Sequence, residues 1–161
     1  MPGQFLSEAE RERVNKFPEK ISKDDTIAYF TLTDEDLRQI PQKSADYNRL
    51  GFALKLCALR FMGFCPDYLS SAPSSVVAYI APQLRVEPRS LEFYGQKEHT
   101  NTDHMRKVQE YLGFHKATQK DLEELSEWLL GRALDPSSTV SKIMYLPCQD
   151  LRDPLALVAL H

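Results

Sequence analysis

The stretch Asn48–Gly63 reads NRLGFALKLCALRFMG, about four turns of helix at roughly 3.6 residues per turn. Apolar residues occur on nearly every side of it, and basic ones only at intervals. At about 100° per residue, Tyr47, Leu50, Leu54, Cys57, Ala58 and Phe61 fall on one face. Arg49, Phe52, Leu56, Leu59 and Arg60 fall on the other. A helix apolar on both faces belongs inside its domain. This one is expected from about Ser44 to Met62, central and packed on both sides, with Gly63 as its C-terminal stop. Arg49 and Arg60 are eleven positions apart and project from the same side. Two roles stand open for them. They are either partly buried guanidinium groups that clamp acidic residues or helix C-terminal carbonyls, or direct contacts to DNA.

Around this helix, helical signals dominate. LSEAERERVNKF offers a capping box at Ser7 and Glu10, closed by Pro18. LTDEDLRQI repeats the device with Thr33 and Asp36 and ends at Pro41. GFCPDYLSSAPSS, rich in Pro, Ser and Gly, reads as a linker. Beyond it, SSVVAYIAPQLRV, PRSLEFYG, NTDHMRKVQEYLGF, TQKDLEELSEWLLGRAL and PSSTVSKIMYL read as further helices, and strand-type alternation is nearly absent. The expected fold is all-α. A short helical module at 1–64, with a helix-turn-helix-like outline over Leu32–Met62, precedes a linker at 65–75 and a larger multi-helix module at 76–161.

The 161 residues are 42% hydrophobic and 27% charged, as in soluble globular proteins, and no apolar run is long enough to span a membrane. The N-terminus lacks the apolar core of a secretory signal. Cys57, Cys65 and Cys148 are an odd number without close pairing, which points to a reducing cytoplasm. A net charge of −3 argues against nonspecific coating of nucleic acid, but it leaves room for a local basic face.

Catalytic chemistry finds no foothold. His99 and His104, with Asp103, lack the i, i+4 spacing and third ligand of a zinc site, so no metal is expected, and nothing points to a cofactor. Cys57 sits among Leu56, Ala58 and Leu59 as a small hydrophobe. The carboxylates of DLEELSEWLL read as the solvated face of a helix whose Leu122, Leu125 and Leu129 point inward. Lys97–Lys120 is different. It carries five Lys/Arg against three acids, and Met105, Val108 and Leu112 form an inward stripe beneath the polar face. Lys97, Asn101, His104, Arg106 and Lys107 suit phosphates and base edges there. Lys43, Asn48 and Arg49 occupy the helix-turn-helix-like corner.

Longer motifs sharpen this. NRLGFALKLCALRFMG, preceded by LSEAERERVNKFP and YFTLTDEDLRQI, closely resembles the N-terminal region of replicative transposases of the Tn-three family. VVAYIAPQLRVEPRSLEFYG resembles their LLAFVAxQLGVDPxxLaxYg, and TNTDHMRKVQEYLGFHKAT their TRREHLxELqxyLGyRpfT. The resemblance runs from about Leu6 to Leu134. It implies a non-catalytic portion of a bacterial cytoplasmic transposase, nucleoid-associated when bound, that recognises the terminal inverted repeats of its transposon in double-stranded DNA. The acidic catalytic triad of the family lies far downstream. An alternative is a helical module assembling the transposase, with the rest of that protein or a second copy as partner. Three departures are visible. Pro82 stands where the family has a helix former and is expected to remove the bond to the Ala78 carbonyl. TNTDH is less basic than TRREH. The tail from Ser141 fits poorly.

Overall fold

The computed structural model describes residues 8, 9, 12, 15–114 and 118–134. The expected box at Ser7 and Glu10, and the expected helix in PSSTVSKIMYL, lie outside these residues. The chain forms helices α1 (Lys23–Phe30), α2 (Asp34–Gln39), α3 (Asp46–Met62), α4 (Ser74–Leu84), α5 (Glu98–Leu112) and α6 (Gln119–Ala133). Short 3-10 segments cover Leu69–Ser71 and Pro88–Phe93, and no strand occurs among the described residues.

The α1 helix carries no apolar stripe that periodicity could reveal. Its start is set by Ser22, whose hydroxyl accepts from the Asp25 N–H at 3.0 Å, and by acidic Asp24 and Asp25 in the first turn. At α2 the expected capping box is present. Thr33 Oγ1 accepts from the Asp36 N–H, and Asp36 Oδ2 accepts from the Thr33 N–H.

The α3 helix is the buried post of the fold. Every residue from Leu50 to Leu59 is buried, and Gly63 ends the helix at φ 76°, donating its N–H to the Leu59 carbonyl at 2.9 Å. Burial even takes in Lys55, whose ammonium donates to the Asn101 carbonyl at 3.3 Å. Around α3 pack α1, α4, α5 and both 3-10 segments. Phe61 meets Tyr29 and Phe30 at ring-centroid distances of 5.3 and 5.5 Å. From α5 the expected stripe arrives: Val108 is buried, with Met105 and Leu112 packed against the core.

One core therefore runs from Phe17 to Val108, through Leu69, Val76, Ile80 and Leu84. Described residues on both sides of 65–75 contribute to that core. This segment connects parts of a shared core, and Gln83 fastens its far side. Its amide accepts from the Leu32 N–H at 2.8 Å and donates to the Phe30 carbonyl at 3.1 Å, tying α4 to the end of α1. The helix-turn-helix-like outline over Leu32–Met62 is matched in the order of its elements alone. The order of short helix, tight turn and long helix is present, but a recognition helix must present a face to the groove. Here α3 gives its faces to the core.

The α4 helix runs on past Pro82, which is exposed and, having no N–H, leaves the Ala78 carbonyl without its i+4 donor, as expected. The helix then closes on Arg85 in the left-handed conformation (φ 56°, ψ 45°), with Val86 N–H donating to the Ala81 carbonyl at 3.1 Å. Arg85 occupies the position of glycine in the family pattern quoted above. Leu122 and Leu129, expected to point inward, are exposed instead, because α6 supplies no residue to the core.

Two substitutions separate close packing from backbone strain. A Cβ on Gly51 would lie 2.2–2.5 Å from three ring carbons of Tyr94. Gly51→Ala should therefore cost about 1–3 kcal/mol despite alanine's higher helix propensity. Arg85→Gly should stabilise by about 1 kcal/mol by relieving the left-handed residue. Urea melts followed by circular dichroism check both, with opposite shifts of midpoint expected.

Candidate nucleic-acid interface

The residues expected to meet DNA divide by what they already hold. Arg49, in the first turn of α3, donates through Nη2 to the Leu84 carbonyl at 3.0 Å and pairs with Asp46 at 3.5 Å. Leu84 ends α4, so this guanidinium satisfies a carbonyl that the helix itself leaves open. Arg60, at the far end of α3, pairs with Asp36 Oδ1 at 2.6 Å. Both arginines fill structural roles of the kind foreseen for them.

Asp36 is a junction of three helices. It is buried, and its Oδ1 accepts from Arg60 and, at 2.9 Å, from the Tyr111 hydroxyl of α5, while Oδ2 closes the α2 cap. Burial pushes its carboxyl up. The hydrogen bonds from Arg60, the Thr33 backbone and Tyr111, with the Arg60 charge, outweigh burial and hold it below its ordinary 3.8. Sequence reading found Asp36 only as a cap. An acidic partner for Arg60 was among the roles foreseen, but its identity depends on how α2 packs over the end of α3.

His104 is not a surface residue. It is buried, stacked 5.7 Å from Tyr94 and edge-on to Phe52 at 5.2 Å, and its Nδ1 lies 3.0 Å from the Tyr94 hydroxyl. Burial lowers its pKa, the Lys55 and Lys107 charges lower it further, and Asp103 partly opposes them. The imidazole expected to meet DNA packs here between Phe52 and Tyr94, against α3. Asn101 and Asn48 are half-buried, and the Asn101 carbonyl is the acceptor for Lys55.

The exposed members remain. Lys43 lies in the α2–α3 turn, and Lys97 is the residue preceding α5. Arg106 and Lys107 are exposed on α5 and share Asp103, at 2.9 and 2.8 Å, while Glu110 takes the second Arg106 nitrogen at 2.8 Å. Lys107 and Arg106 hold the Asp103 carboxyl down at about 2. Between α5 and the α2–α3 turn runs an open cleft lined by Arg38, Gln39, Gln42, Lys107, Glu110 and Tyr111. Of the expected residues it contains Lys107. Arg38 and Gln39 join it from the side that sequence reading passed over. Gln42 is committed, its amide donating to the Leu37 and Ile40 carbonyls at 2.8 and 3.2 Å.

Among the described residues no group of three His, Cys, Asp or Glu is gathered as metal ligands. Burial raises the Cys57 thiol to about 12 and the Cys65 thiol to about 11, so neither is a ready thiolate. No described helix is long and apolar enough to cross a membrane.

The sequence profile of a family described as a domain of unknown function, DUF4158, matches residues 5–152. The chain is 35% identical over 144 residues to the transposase for transposon Tn501 of Pseudomonas aeruginosa. It is 31% identical over 139 residues to the transposase for transposon Tn1546 of Enterococcus faecium, and 37% over 132 residues to that for transposon Tn21 of Escherichia coli. These alignments cover 81%, 85% and 81% of this chain. The chain spans 13–14% of the length of these curated relatives.

The acid limb of stability tests two of the buried titratable groups, Asp36 and His104. A depressed carboxylate stabilises fully above its ordinary value and loses this contribution as pH falls through the lower folded value. A depressed imidazole likewise stabilises above 6.5 and loses the contribution as pH falls from there. Stability should therefore decline first below about pH 6.5, and again below about pH 4. His104→Phe should flatten the first decline. Asp36→Asn should flatten the second and cost about 3 kcal/mol at neutral pH by leaving Arg60 uncompensated. Denaturant midpoints measured from pH 8 to pH 3 check both.

Proposed function

The chain belongs to the DUF4158 family and is homologous to Tn-three-type transposases; on that premise we propose that it is a non-catalytic, DNA-contacting portion of a transposase, directed at the terminal inverted repeats of its transposon. The observation that carries this reading is the cleft between the α2–α3 turn and α5. Lys107 of α5 and Arg38 and Gln39 of α2 line it together, beside Glu110, with Arg38 also paired to exposed Glu35. Guanidinium and ammonium groups on either side of a cleft suit a phosphate backbone, and an exposed amide suits a base edge. Lys43 and Arg106 extend the same chemistry from the turn and from α5. Lys97 and Asn101 offer further contacts at the start of α5, with Asn48 at the start of α3. Strand cleavage belongs, on this reading, to other parts of the longer transposase.

A second reading, a helical module that assembles the transposase, is favoured by the exposed leucines of α6. The two readings use different surfaces.

A band-shift titration against a labelled inverted-repeat end and a scrambled duplex tests the first. Preferential binding of the repeat, weakening steeply with salt, is expected. Lys107→Ala should reduce the salt slope by about one unit and weaken both duplexes alike, as for a phosphate contact. Gln39→Ala should instead narrow the gap between the duplexes by ~1–3 kcal/mol, as for a base contact. Equal binding of both duplexes at low salt, or none, would overturn the reading.

A further inference from the structure

The α6 helix is a well-started helix whose apolar side chains do not enter the core. Thr118 and Asp121 form its capping box: Thr118 Oγ1 accepts from the Asp121 N–H at 3.2 Å, and Asp121 Oδ2 accepts from the Thr118 N–H at 2.6 Å. Among the described residues, the exposed large hydrophobics fall mostly here. They are Leu122, Leu129 and Leu130 on α6 and Leu134 just beyond it, the last two 65% and 76% exposed. Ile27, Tyr68 and Phe93 are scattered singly elsewhere. A group of exposed leucines on one helix marks a surface that is covered in the working assembly.

Charge selects the occupant. Glu123, Glu127, Leu130 and Leu134 follow one another at i, i+4, i+7 and i+11, so two exposed carboxylates continue directly into two exposed leucines along one edge. Over its length the helix carries Asp121, Glu123, Glu124 and Glu127 against Lys120 and Arg132. A second copy would bring a like-charged helix to this edge, which opposes pairing. A helix with leucine-type residues flanked by lysine or arginine would cover the leucines and neutralise the carboxylates together.

We propose that the α6 edge formed by Glu123, Glu127, Leu130 and Leu134 is the docking surface for a basic amphipathic helix of a protein partner. This deepens the assembly reading and uses none of the cleft residues, so its failure leaves the DNA reading untouched.

The test titrates the 161-residue chain with two synthetic helical peptides of identical leucine pattern, one bearing lysines and the other glutamates between the leucines. Binding is followed by the anisotropy of fluorescein-labelled peptides, and sedimentation velocity of the chain alone is run alongside. The lysine peptide should bind, and the glutamate peptide should not. Leu130→Glu, at an exposed position, should weaken the lysine peptide at least tenfold. The double variant Glu123→Lys/Glu127→Lys should reverse the preference between the peptides. Unchanged binding to the Leu130→Glu chain would overturn the proposal by showing charge attraction alone. Self-association abolished by Leu130→Glu, without peptide binding, would overturn the basic partner and retain assembly. Neither peptide binding nor self-association would overturn both.

Discussion

A buried carboxylate is expensive unless it is well hydrogen-bonded, and Asp36 gains its three bonds by drawing on three helices. Its own helix supplies the Thr33 N–H, α3 supplies Arg60 and α5 supplies the Tyr111 hydroxyl. Each of these elements loses a partner if any of the others moves. The bond set thus fixes where the short α2 sits over the end of α3. Through Tyr111 it also fixes the spacing across the cleft, which has Tyr111 on its wall and Lys107 one turn earlier on the same helix.

The opposite end of α5 is held by different means. There the constraint is space: Gly51 lets the Tyr94 ring lie against the α3 backbone, and the ring in turn stacks on His104 and reaches its Nδ1. Lys55 adds a donor to the Asn101 carbonyl. A polar clamp at one end and a close-packed aromatic cage at the other leave α5 little freedom to roll. Its outward residues, Arg106 and Lys107, are therefore presented in one fixed direction. For recognition of a duplex this matters more than the number of cations, because fixed positions are what allow phosphate contacts to set register.

Much of this was legible in the sequence. Two apolar faces on Asn48–Gly63 announced a buried helix, the Thr33–Asp36 pair announced a cap, and Gly63 announced a stop. What stayed hidden involves partners distant along the chain. Periodicity assigns a residue to a face without saying what lies opposite, so His104 looked like a polar flank residue when it was facing Phe52 and Tyr94. The Pro- and Ser-rich composition of 65–75 carries no information on whether the flanking helices share a core, and the segment itself holds a 3-10 turn at Leu69–Ser71. The α1 helix was missed because it is held by its cap and by Gln83 across the fold, and neither produces a stripe. In α6 the inward assignment assumed that an apolar stripe must have the chain's own core beneath it. Here that core ends with α5 and the Phe114 segment.

The remaining question is how surface cations already tied to carboxylates could serve a polyanion. Exposed pairs such as Arg106–Glu110 and Lys107–Asp103 are weak, because water screens them and two side chains must be ordered. A phosphate competes well against such a partner, since its binding also releases condensed counterions from the duplex. The interior pairs differ in kind. Arg60 cannot leave Asp36 without stranding a buried charge, and Arg49 cannot leave Leu84 without opening the end of α4. Any reaction with DNA therefore falls to the residues with weak, solvent-exposed partners. The strongly held arginines set the frame on which those residues stand.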